Sequence, residues 1–309
     1  PAHTALRMSY SLAIHCRLVV IHRQQLLVYL LSSLHLKRAA VKQLLKFGAV
    51  RVNGVVVRQF DHELLAGDEV LVGNLQAAVA IGQLQRSHIQ LVYEDSALVV
   101  ADKPAGLLTV ATDRENADTL YVRLNAYLQS RGSAQPERAV VVHRIDKETS
   151  GLVLFAKNQS VKRLLQDGWP TVNKIYYAVV RGCPAATEGT INSYLTEDSK
   201  SLKVFATDHP RANSHLATTH YRVINTYDGL SLVEVYLGTG RKHQIRVQLA
   251  SLGCPVVGDR RYGKRTHLCD RLALHAGELH LAHPLTGEPL KLTSLLPRAL
   301  RKLAVVSRA

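Results

Sequence analysis

The feature that most constrains the fold is a polar loop between two continuous apolar runs. Residues 139–143 read AVVVH and residues 151–158 read GLVLFAKN, while the segment between them, RIDKETS, carries charged and hydroxyl side chains. Continuous runs of Val, Leu and Phe suit strands that are buried on both faces. The segment therefore predicts two interior strands joined by a polar loop.

The remaining hydrophobic patterns predict more strands than helices. Strands are predicted near residues 89–103, 174–180, 216–225, 231–237 and 272–281. Helices are predicted at residues 118–130 and 161–166 and from about residue 243 onward. The sequence shows no internal repeat and no regular alternation of strand and helix. We therefore expect an α+β fold with a mixed, mainly antiparallel sheet.

Composition narrows the class of protein and of partner. The 309 residues are 47% hydrophobic and 20% charged, which is typical of a globular chain with a sizeable core. Lys and Arg outnumber Asp and Glu by 39 to 24, and the resulting net charge of +15 indicates a polyanionic partner. Charge alone does not decide whether that partner is RNA, DNA or an acidic membrane. The 4 cysteines form no CxxC pair, so we expect no zinc site, no disulfide framework and a reducing compartment.

The N-terminal segment, residues 1–29, reads as a basic leader. No Asp or Glu precedes Asp61, and Arg7, Arg17 and Arg23 interrupt apolar, Ser- and His-containing sequence. This pattern resembles an organellar transit peptide as closely as an ordinary extension. Its apolar runs fall short of the roughly 18 residues that a membrane span requires. We expect a cytoplasmic protein without membrane association, or a mitochondrial or plastid one if the leader is a transit peptide.

Residues 30–74 contain a basic amphipathic helix. Three cationic side chains recur at i, i+4 spacing on one side, and apolar residues form the opposite stripe: Arg38, Lys42 and Lys46 against Val41, Leu44 and Leu45. Gly48 stands where a helix C-cap is expected. An isolated helix of this kind would most simply expose its charges to solvent.

A hairpin follows the basic helix. Asn53-Gly54 stands between alternating valines, and both residue types tolerate the positive φ that a tight hairpin turn requires. Helix and hairpin together resemble the S4-like (alpha-L) RNA-binding module, which implies RNA-backbone contacts by the basic helix. An Ala-, Gln- and Gly-rich linker at residues 75–88 then separates this module from a larger domain at residues 89–309.

Three segments of the larger domain carry candidate chemistry. Asp146 lies in the polar loop, where a partly desolvated carboxylate needs a nearby cation to stay ionised. Thr149 and Ser150 are predicted to close that loop through side-chain hydrogen bonds to the backbone. Tyr176 and Tyr177 are neighbours in a strand, so only one of them is expected to face a given pocket.

The third segment is TGRKHQIR, residues 239–246. Its glycine-bracketed turn places Arg241 where a guanidinium can reach a carboxylate. Without further information, Arg241 and Arg246 are equally consistent with phosphate binding or surface ion pairs. His243 is consistent with a helix-start residue that is satisfied by local hydrogen bonds.

Taken together, these segments resemble the RluA-type family of RNA pseudouridine synthases. The matching stretches are ADKPAGL, HRIDKETSG, KIYYAVVRG, GTGRKHQIRVQLASLGCPVVGDRRYG and LHAGELHLAHPLTGEPL, in this order between about residues 90 and 297. An S4-like module in front of the catalytic domain is common in that family.

The resemblance implies a pseudouridine synthase fold and roles for particular residues. Asp146 is implied as the catalytic carboxylate, Tyr176 as the residue that stacks on the base, and Arg241 as the partner of Asp146. Arg144 and Arg246 are implied contacts to the RNA backbone or to a flipped nucleotide. The isomerisation involves no net redox change, hydrolysis or energy input, so no cofactor and no metal are expected. The expected partner is RNA, with ribosomal RNA favoured and transfer RNA possible, and the expected state is a monomer.

Two other classes of protein are weighed against this interpretation. A non-catalytic RNA-binding or ribosome-assembly protein would have no chemical reason to keep the Asp, Tyr and Arg together. A metal-dependent hydrolase would use His275, His280 and His283, whose spacing suits a strand better than a ligand cluster. The residues do not decide whether Asp146 attacks C1′ or removes the C2′ proton.

Overall fold

The computed structural model describes residues 14–74, 89–112, 118–129, 137–199, 201–264 and 267–304. The chain divides into two compact units, one comprising residues 1–90 and 117–139 and the other residues 91–116 and 140–309. The predicted linker at residues 75–88 lies outside the described residues. No helix in the described ranges is long and apolar enough to cross a membrane.

In its described residues, the first unit combines short strands with three helices. Its elements are β1 (Ile14–Val19), β2 (Gln24–Gln25), α1 (Leu26–Leu34), α2 (Arg38–Lys46), β3 (Val50–Val52), β4 (Val55–Val56), β5 (Glu63–Leu64), β6 (Glu69–Gly73) and α3 (Leu120–Gln129). One sheet has the order β1-β6-β3-β4, and β2 pairs with β5. Leu26, Leu30, Val41, Leu44 and Val70 are among the residues of its hydrophobic core.

The predicted basic helix and hairpin are confirmed as elements. In α2 the apolar stripe is buried, whereas Arg38, Lys42 and Lys46 are exposed. Asn53 and Gly54 have φ values of 49° and 81°, the left-handed conformations that the tight turn between β3 and β4 requires. The Asn53 side chain also donates to Asp68 Oδ1 (2.8 Å) and accepts from the backbone N–H of Glu69 (2.9 Å), which ties the turn to β6.

The structure draws the N-terminal boundary differently from the sequence interpretation. Residues 14–29 do not stand apart as a leader, because β1 pairs antiparallel with β6 along Arg17↔Leu71 and Leu18↔Val70. The expected start of the module at residue 30 falls inside α1. The partners of β1 lie at residues 69–73, far along the chain, and no local pattern in the sequence indicates that pairing. Residues 1–13 lie outside the described part of the chain.

The second unit is built on one large sheet. Its strands are β7 (Gln90–Glu94), β8 (Leu98–Lys103), β9 (Val140–Val141), β10 (Ser150–Ala156), β11 (Asn173–Arg181), β12 (Glu188–Glu197), β13 (Val204–Thr207), β14 (His215–Tyr227), β15 (Leu230–Leu237), β16 (Leu274–Ala282) and β17 (Pro289–Thr293). Its helices are α4 (Gln159–Asp167), α5 (Gln244–Ser251) and α6 (Arg298–Ala304), with a 3-10 turn at Trp169–Thr171.

Strand order and direction confirm the predicted fold class. The path through the sheet is β13-β12-β14-β15-β11-β16-β10-β8-β7, with β17 paired to β16 and β9 to β10. The β10–β16 pair is parallel, and its neighbours β10–β8 and β11–β16 are antiparallel. All seven residues of β10 are buried, as its uninterrupted apolar sequence predicts. The domain is therefore α+β with a mixed, mainly antiparallel sheet.

A glycine permits the close approach of β10 and β16 at the point where the polar loop ends. Gly151 has a φ of +115°, and a Cβ added to it would lie 2.2 Å from the carbonyl oxygen of Ala276. An L residue would suffer both the strained backbone and the clash. The pairing Ser150↔His275 and Gly151↔Ala276 therefore depends on glycine here and sets where the loop before it lies.

Candidate active site

Two buried side chains hold the backbone on either side of Asp146. Thr109 Oγ1 donates to the carbonyl of Ile145 (3.0 Å) and accepts from the N–H of Ile145 (3.3 Å). Lys103 Nζ donates to the carbonyl of Lys147 (3.0 Å), and the N–H of Thr149 donates to the carbonyl of Asp146 (3.1 Å). The loop is thus fixed on both sides of the carboxylate.

Lys103 is a functional-site residue whose role sequence reasoning missed. Its side chain is fully buried, and its ammonium group also donates to the carbonyls of Pro104 (3.0 Å) and Leu107 (2.7 Å), so the three N–H donors have three acceptors. Burial lowers the pKa of Lys103 to about 7, and the nearby Glu148 and Asp146 carboxylates oppose this shift. The sequence feature that could have indicated this role of Lys103 is the Lys-Pro-Ala-Gly stretch at residues 103–106.

The expected closure of the loop by the Ser150 side chain is wrong, and the same expectation for Thr149 stays a prediction. The Ser150 hydroxyl instead accepts from Arg271 Nη2 (2.8 Å) and contacts His275 Nδ1 (2.9 Å), both beyond the loop. Ser150 already belongs to β10, which carries its side chain toward β16 rather than back to the loop.

Arg246, rather than Arg241, is the partner of Asp146. Arg246 Nη1 lies 3.3 Å from Asp146 Oδ2, while its Nε and Nη2 donate to the two oxygens of Asp259 at 2.7 and 2.9 Å. Burial disfavours the charge of Asp259, but the hydrogen bonds from Arg246 and from the backbone of Arg261 hold the pKa of Asp259 below its usual range. A single guanidinium therefore bridges two carboxylates.

The position of α5 explains why the sequence interpretation chose the wrong arginine. Arg241 lies in the turn before the helix and is exposed, whereas Arg246 is the third residue of α5 and only 8% exposed. Arg246 was also expected to contact RNA. In the structure its guanidinium is buried and pairs with Asp146 and Asp259 instead. Arg144 is exposed next to Asp146 and remains available for RNA.

Tyr176 of β11 faces the pocket that Asp146 lines, and Tyr177 faces the other side of the sheet. Tyr177 Oη donates to Glu278 Oε1 (2.8 Å), while Tyr176 lines the same pocket as Asp146. Burial and the negative charge of Asp146 raise the pKa of Tyr176 well above its usual value, so the phenol stays neutral. The expectation that only one of the two tyrosines faces this pocket is confirmed.

A pocket of about 450 Å³, open to solvent, joins these groups. Its polar lining includes Arg144, Asp146, Tyr176, Arg241, His243 and Arg246, and its apolar lining includes Ile145, Leu237, Ile245 and Leu274. The site therefore combines one carboxylate, an aromatic ring and several cations within an apolar frame.

His243 contributes more than a local hydrogen bond at a helix start. Its backbone is left-handed (φ 55°), and its Nδ1 lies 2.8 Å from Tyr262 Oη, 19 residues away in the chain. Its Nε2 lies 3.9 Å from Asp146 Oδ2. Burial lowers the pKa of His243 to about 4, an effect that Asp146 opposes and Arg246 reinforces. The imidazole is thus neutral at neutral pH. The sequence interpretation also gave no role to Tyr262, which lies in the stretch GDRRYG.

His143 supports the loop. Its Nε2 accepts from the backbone N–H of Leu154 (2.9 Å), and its ring packs on Trp169 at a centroid distance of 4.6 Å. Burial lowers the pKa of His143 to about 3, which keeps the ring neutral and Nε2 free to accept. His143 therefore ties the start of the loop to β10.

The three histidines of the hydrolase alternative have separate partners. His275 bonds to Ser150, His280 to Glu278 (2.8 Å) and His283 to Asp95 (2.9 Å). Over the ranges that the structure describes, no three His, Cys, Asp or Glu side chains are grouped as metal ligands. These residues support strand pairing and loops.

Comparisons with known proteins agree with this site. A family model described as RNA pseudouridylate synthase matches residues 97–251. A Bacillus subtilis protein named "Uncharacterized RNA pseudouridine synthase YlyB" is 34% identical over 270 residues, which cover 86% of this chain and 88% of that protein. The ribosomal large subunit pseudouridine synthase D of Pseudomonas aeruginosa is 34% identical over 271 residues, 82% of each chain.

A solved structure supports the same assignment. Human RNA Pseudouridylate Synthase Domain Containing 4 matches with a TM-score of 0.60 at 25% identity, covering 74% of this chain and 97% of that one. The sheet, the pocket and the sequence similarity point to one activity. The chain therefore belongs to the RNA pseudouridylate synthase family and is an isomerase of the RluA type that acts on RNA.

Proposed function

We propose that the pocket around Asp146 converts uridines of large-subunit ribosomal RNA to pseudouridine, with Asp146 as the essential carboxylate. The observation that carries the proposal is the convergence of Asp146, Tyr176 and Arg246 from three distant segments on one pocket. An aspartate, a flat ring and a buried cation are the groups that this isomerisation needs.

Asp146 acts at the ribose. The reaction breaks the N1–C1′ bond, turns the uracil and joins C5 to C1′. A carboxylate beside the sugar attacks C1′ or removes the C2′ proton, and either step requires the ionised form. Arg246 places a positive charge 3.3 Å from Oδ2 and donates a hydrogen bond to it.

Tyr176 and the pocket walls hold the base. A target uridine inside a helix is out of reach of Asp146, so the nucleotide is flipped out at a cost of a few kcal/mol. Tyr176 offers a neutral aromatic face on which the detached uracil stacks. Leu237 and Leu274 complete an apolar wall around it.

Basic side chains hold the surrounding RNA. Arg144 and Arg241 are exposed at the pocket, where each can reach a phosphate or the space left by a flipped base. In the first unit, Arg38, Lys42 and Lys46 form an exposed cationic face on α2, as an S4-like RNA-binding module would. The ribosomal substrate is supported by the name of the Pseudomonas aeruginosa relative.

Tritium release from C5 of uridine tests the role of Asp146. Ribosomal RNA transcripts labelled at uridine C5 should lose tritium with the wild-type protein and not with Asp146→Ala or Asp146→Asn, a fall of about 10³-fold or more. Asp167→Ala, which removes an exposed carboxylate at the end of α4, is the control and should match wild type. If the wild-type protein bound the RNA but released no tritium, the proposed catalytic role would be refuted and only RNA binding would remain.

Mapping the modified position tests the substrate. Large-subunit ribosomal RNA, small-subunit ribosomal RNA and a transfer RNA pool, each free of modification, are incubated with the protein, and pseudouridine is located by its specific chemical adduct and primer extension. Modification confined to discrete positions of the large-subunit RNA is expected. Preferential modification of transfer RNA would refute the ribosomal assignment and leave the activity intact.

A further inference from the structure

We propose that Tyr262 and His243 form a positioning pair that, together with Arg246, anchors Oδ2 of Asp146 and leaves Oδ1 as the oxygen that reacts with the ribose. The proposal deepens the function above and rests on the role of Asp146 proposed there. It follows from two linked hydrogen bonds, Val204–Tyr262 and Tyr262–His243, which run from β13 toward the pocket and place His243 Nε2 3.9 Å from Asp146 Oδ2.

The first link fixes the orientation of the Tyr262 hydroxyl. The backbone N–H of Val204 donates to Tyr262 Oη at 2.9 Å, which occupies one lone pair of the phenol oxygen. Over the part of the chain that the structure describes, the remaining partner of this hydroxyl is His243 Nδ1 at 2.8 Å. The arrangement in which the Tyr262 proton has an acceptor is the one in which Tyr262 donates to Nδ1.

The second link fixes the tautomer of His243. An Nδ1 that accepts a hydrogen bond carries no proton, so a neutral imidazole has its proton on Nε2. Nε2 is the nitrogen that faces Asp146, at 3.9 Å from Oδ2. The ring therefore presents an N–H, and not a lone pair, to the carboxylate.

The third link concerns the two oxygens of Asp146. Arg246 Nη1 (3.3 Å) and His243 Nε2 (3.9 Å) both approach Oδ2. Within the described residues, Oδ1 has no hydrogen-bond partner. The hydrogen bond from Arg246 and the neighbouring N–H of His243 thus lie on the Oδ2 side of the carboxylate, and Oδ1 is the oxygen left without a donor among these groups.

Backbone geometry and packing keep the pair in place. His243 has φ 55° and ψ 15°, a conformation that costs about 1 kcal/mol or more for a non-glycine residue and is retained mostly at functional positions. The Tyr262 ring packs edge-on against His243 and lies 5.2 Å from the Arg246 guanidinium carbon. Tyr262 thereby contacts both groups that anchor Oδ2.

Tyr262→Phe removes the donor to Nδ1 and keeps the ring against Arg246. We expect kcat for tritium release to fall roughly tenfold to a hundredfold, the range measured when a hydrogen bond that orients an imidazole is removed at metal sites. KM for RNA should change less than twofold, because Tyr262 is not placed among the RNA contacts. Tyr221→Phe, which loses a hydroxyl donating to Ala186 (3.4 Å) far along the sheet, should match wild type.

Two substitutions of His243 test whether its N–H group orients Asp146 or whether the position only requires a residue that tolerates a left-handed backbone. His243→Gln keeps an N–H donor near the position of Nε2, whereas His243→Asn is shorter and cannot reach Asp146. A left-handed backbone favours Asn over Gln. We expect the kcat of His243→Gln to be at least five times that of His243→Asn, although the left-handed backbone favours Asn. Asn equal to or better than Gln would overturn the proposal.

Nuclear magnetic resonance of nitrogen-15 histidine gives a direct readout of the tautomer. The signal assigned to His243 by its loss in His243→Gln should show a protonated Nε2 in the wild type and a mixture of tautomers in Tyr262→Phe. Wild-type kcat for Tyr262→Phe, or an unchanged tautomer, would refute the pair. If the role of Asp146 itself were wrong, Asp146→Ala would remain active, which is a separate outcome.

Discussion

At the residue scale, the geometry of the site depends on the buried ion pairs that Arg246 forms with Asp259 and Asp146. Asp259 has no exposed side-chain surface and Arg246 retains 10% of its own, so their bidentate pairing is screened little by solvent. Arg246 also serves Asp146, 100 residues away in the chain. One cation therefore supports both the packing of α5 and the position of the Asp146 carboxylate.

The two arginines of GRKHQIR provide a matched pair of variants. Arg246→Ala leaves two carboxylates without their cation, and we expect it to lower the free energy of unfolding by about 3–5 kcal/mol and to abolish tritium release. Arg241→Ala removes an exposed guanidinium and should change that free energy by less than about 0.5 kcal/mol. Urea denaturation measures both. Equal losses of stability would contradict the pairing described above.

At the scale of elements, the pocket is set by strand pairing around the parallel β10–β16 contact. β11 carries a register shift against β16 between Ile175 and Tyr176, which locally re-aims the strand that brings Tyr176 to the pocket. Gly151 lets β10 approach β16 as the loop of Asp146 ends. Continuous apolar runs predicted these strands well, because burial on both faces is encoded residue by residue.

Gly151→Ala tests the close approach of β10 and β16. The added Cβ meets the carbonyl of Ala276 at 2.2 Å in a backbone with φ +115°. We expect a loss of more than about 2 kcal/mol in unfolding free energy and a larger fall in kcat than in RNA affinity. Gly168→Ala, where φ is −81° at the end of α4, should be neutral or stabilising by about 0.4–1 kcal/mol. A stable, active Gly151→Ala protein would contradict this account.

At the scale of the whole molecule, the net charge of +15 is distributed over both compact units. Polyanion binding by such a chain is dominated by counterion release and falls steeply with salt. The expectation that α2 contacts RNA rests on its exposed cationic face and on the resemblance to an S4-like module, and it remains a prediction. Affinity and its salt dependence can test it without reference to catalysis.

Substituting Arg38, Lys42 and Lys46 together by Ala should reduce the slope of log affinity against log salt by about 3, if each cation neutralises one phosphate. A matched triple of exposed cations in α6, comprising Arg298, Arg301 and Lys302, serves as the control and should change the slope less. Filter binding of ribosomal RNA over a salt series measures both proteins. Equal slopes would show that α2 is not a preferred contact.

The sequence by itself determined the α+β class, most strands and helices of the larger domain, the hairpin at Asn53-Gly54 and the candidates Asp146 and Tyr176. The elements depend on local properties, namely burial periodicity and turn chemistry, and the two candidate residues depend on the resemblance of their motifs to the RluA-type family. The tertiary structure decided which arginine meets Asp146, that Lys103 and Thr109 hold its loop, and that Tyr262 orients His243. It also joined β1 to β6. These are contacts between residues far apart in the chain, and no local pattern specifies which buried donor finds which acceptor.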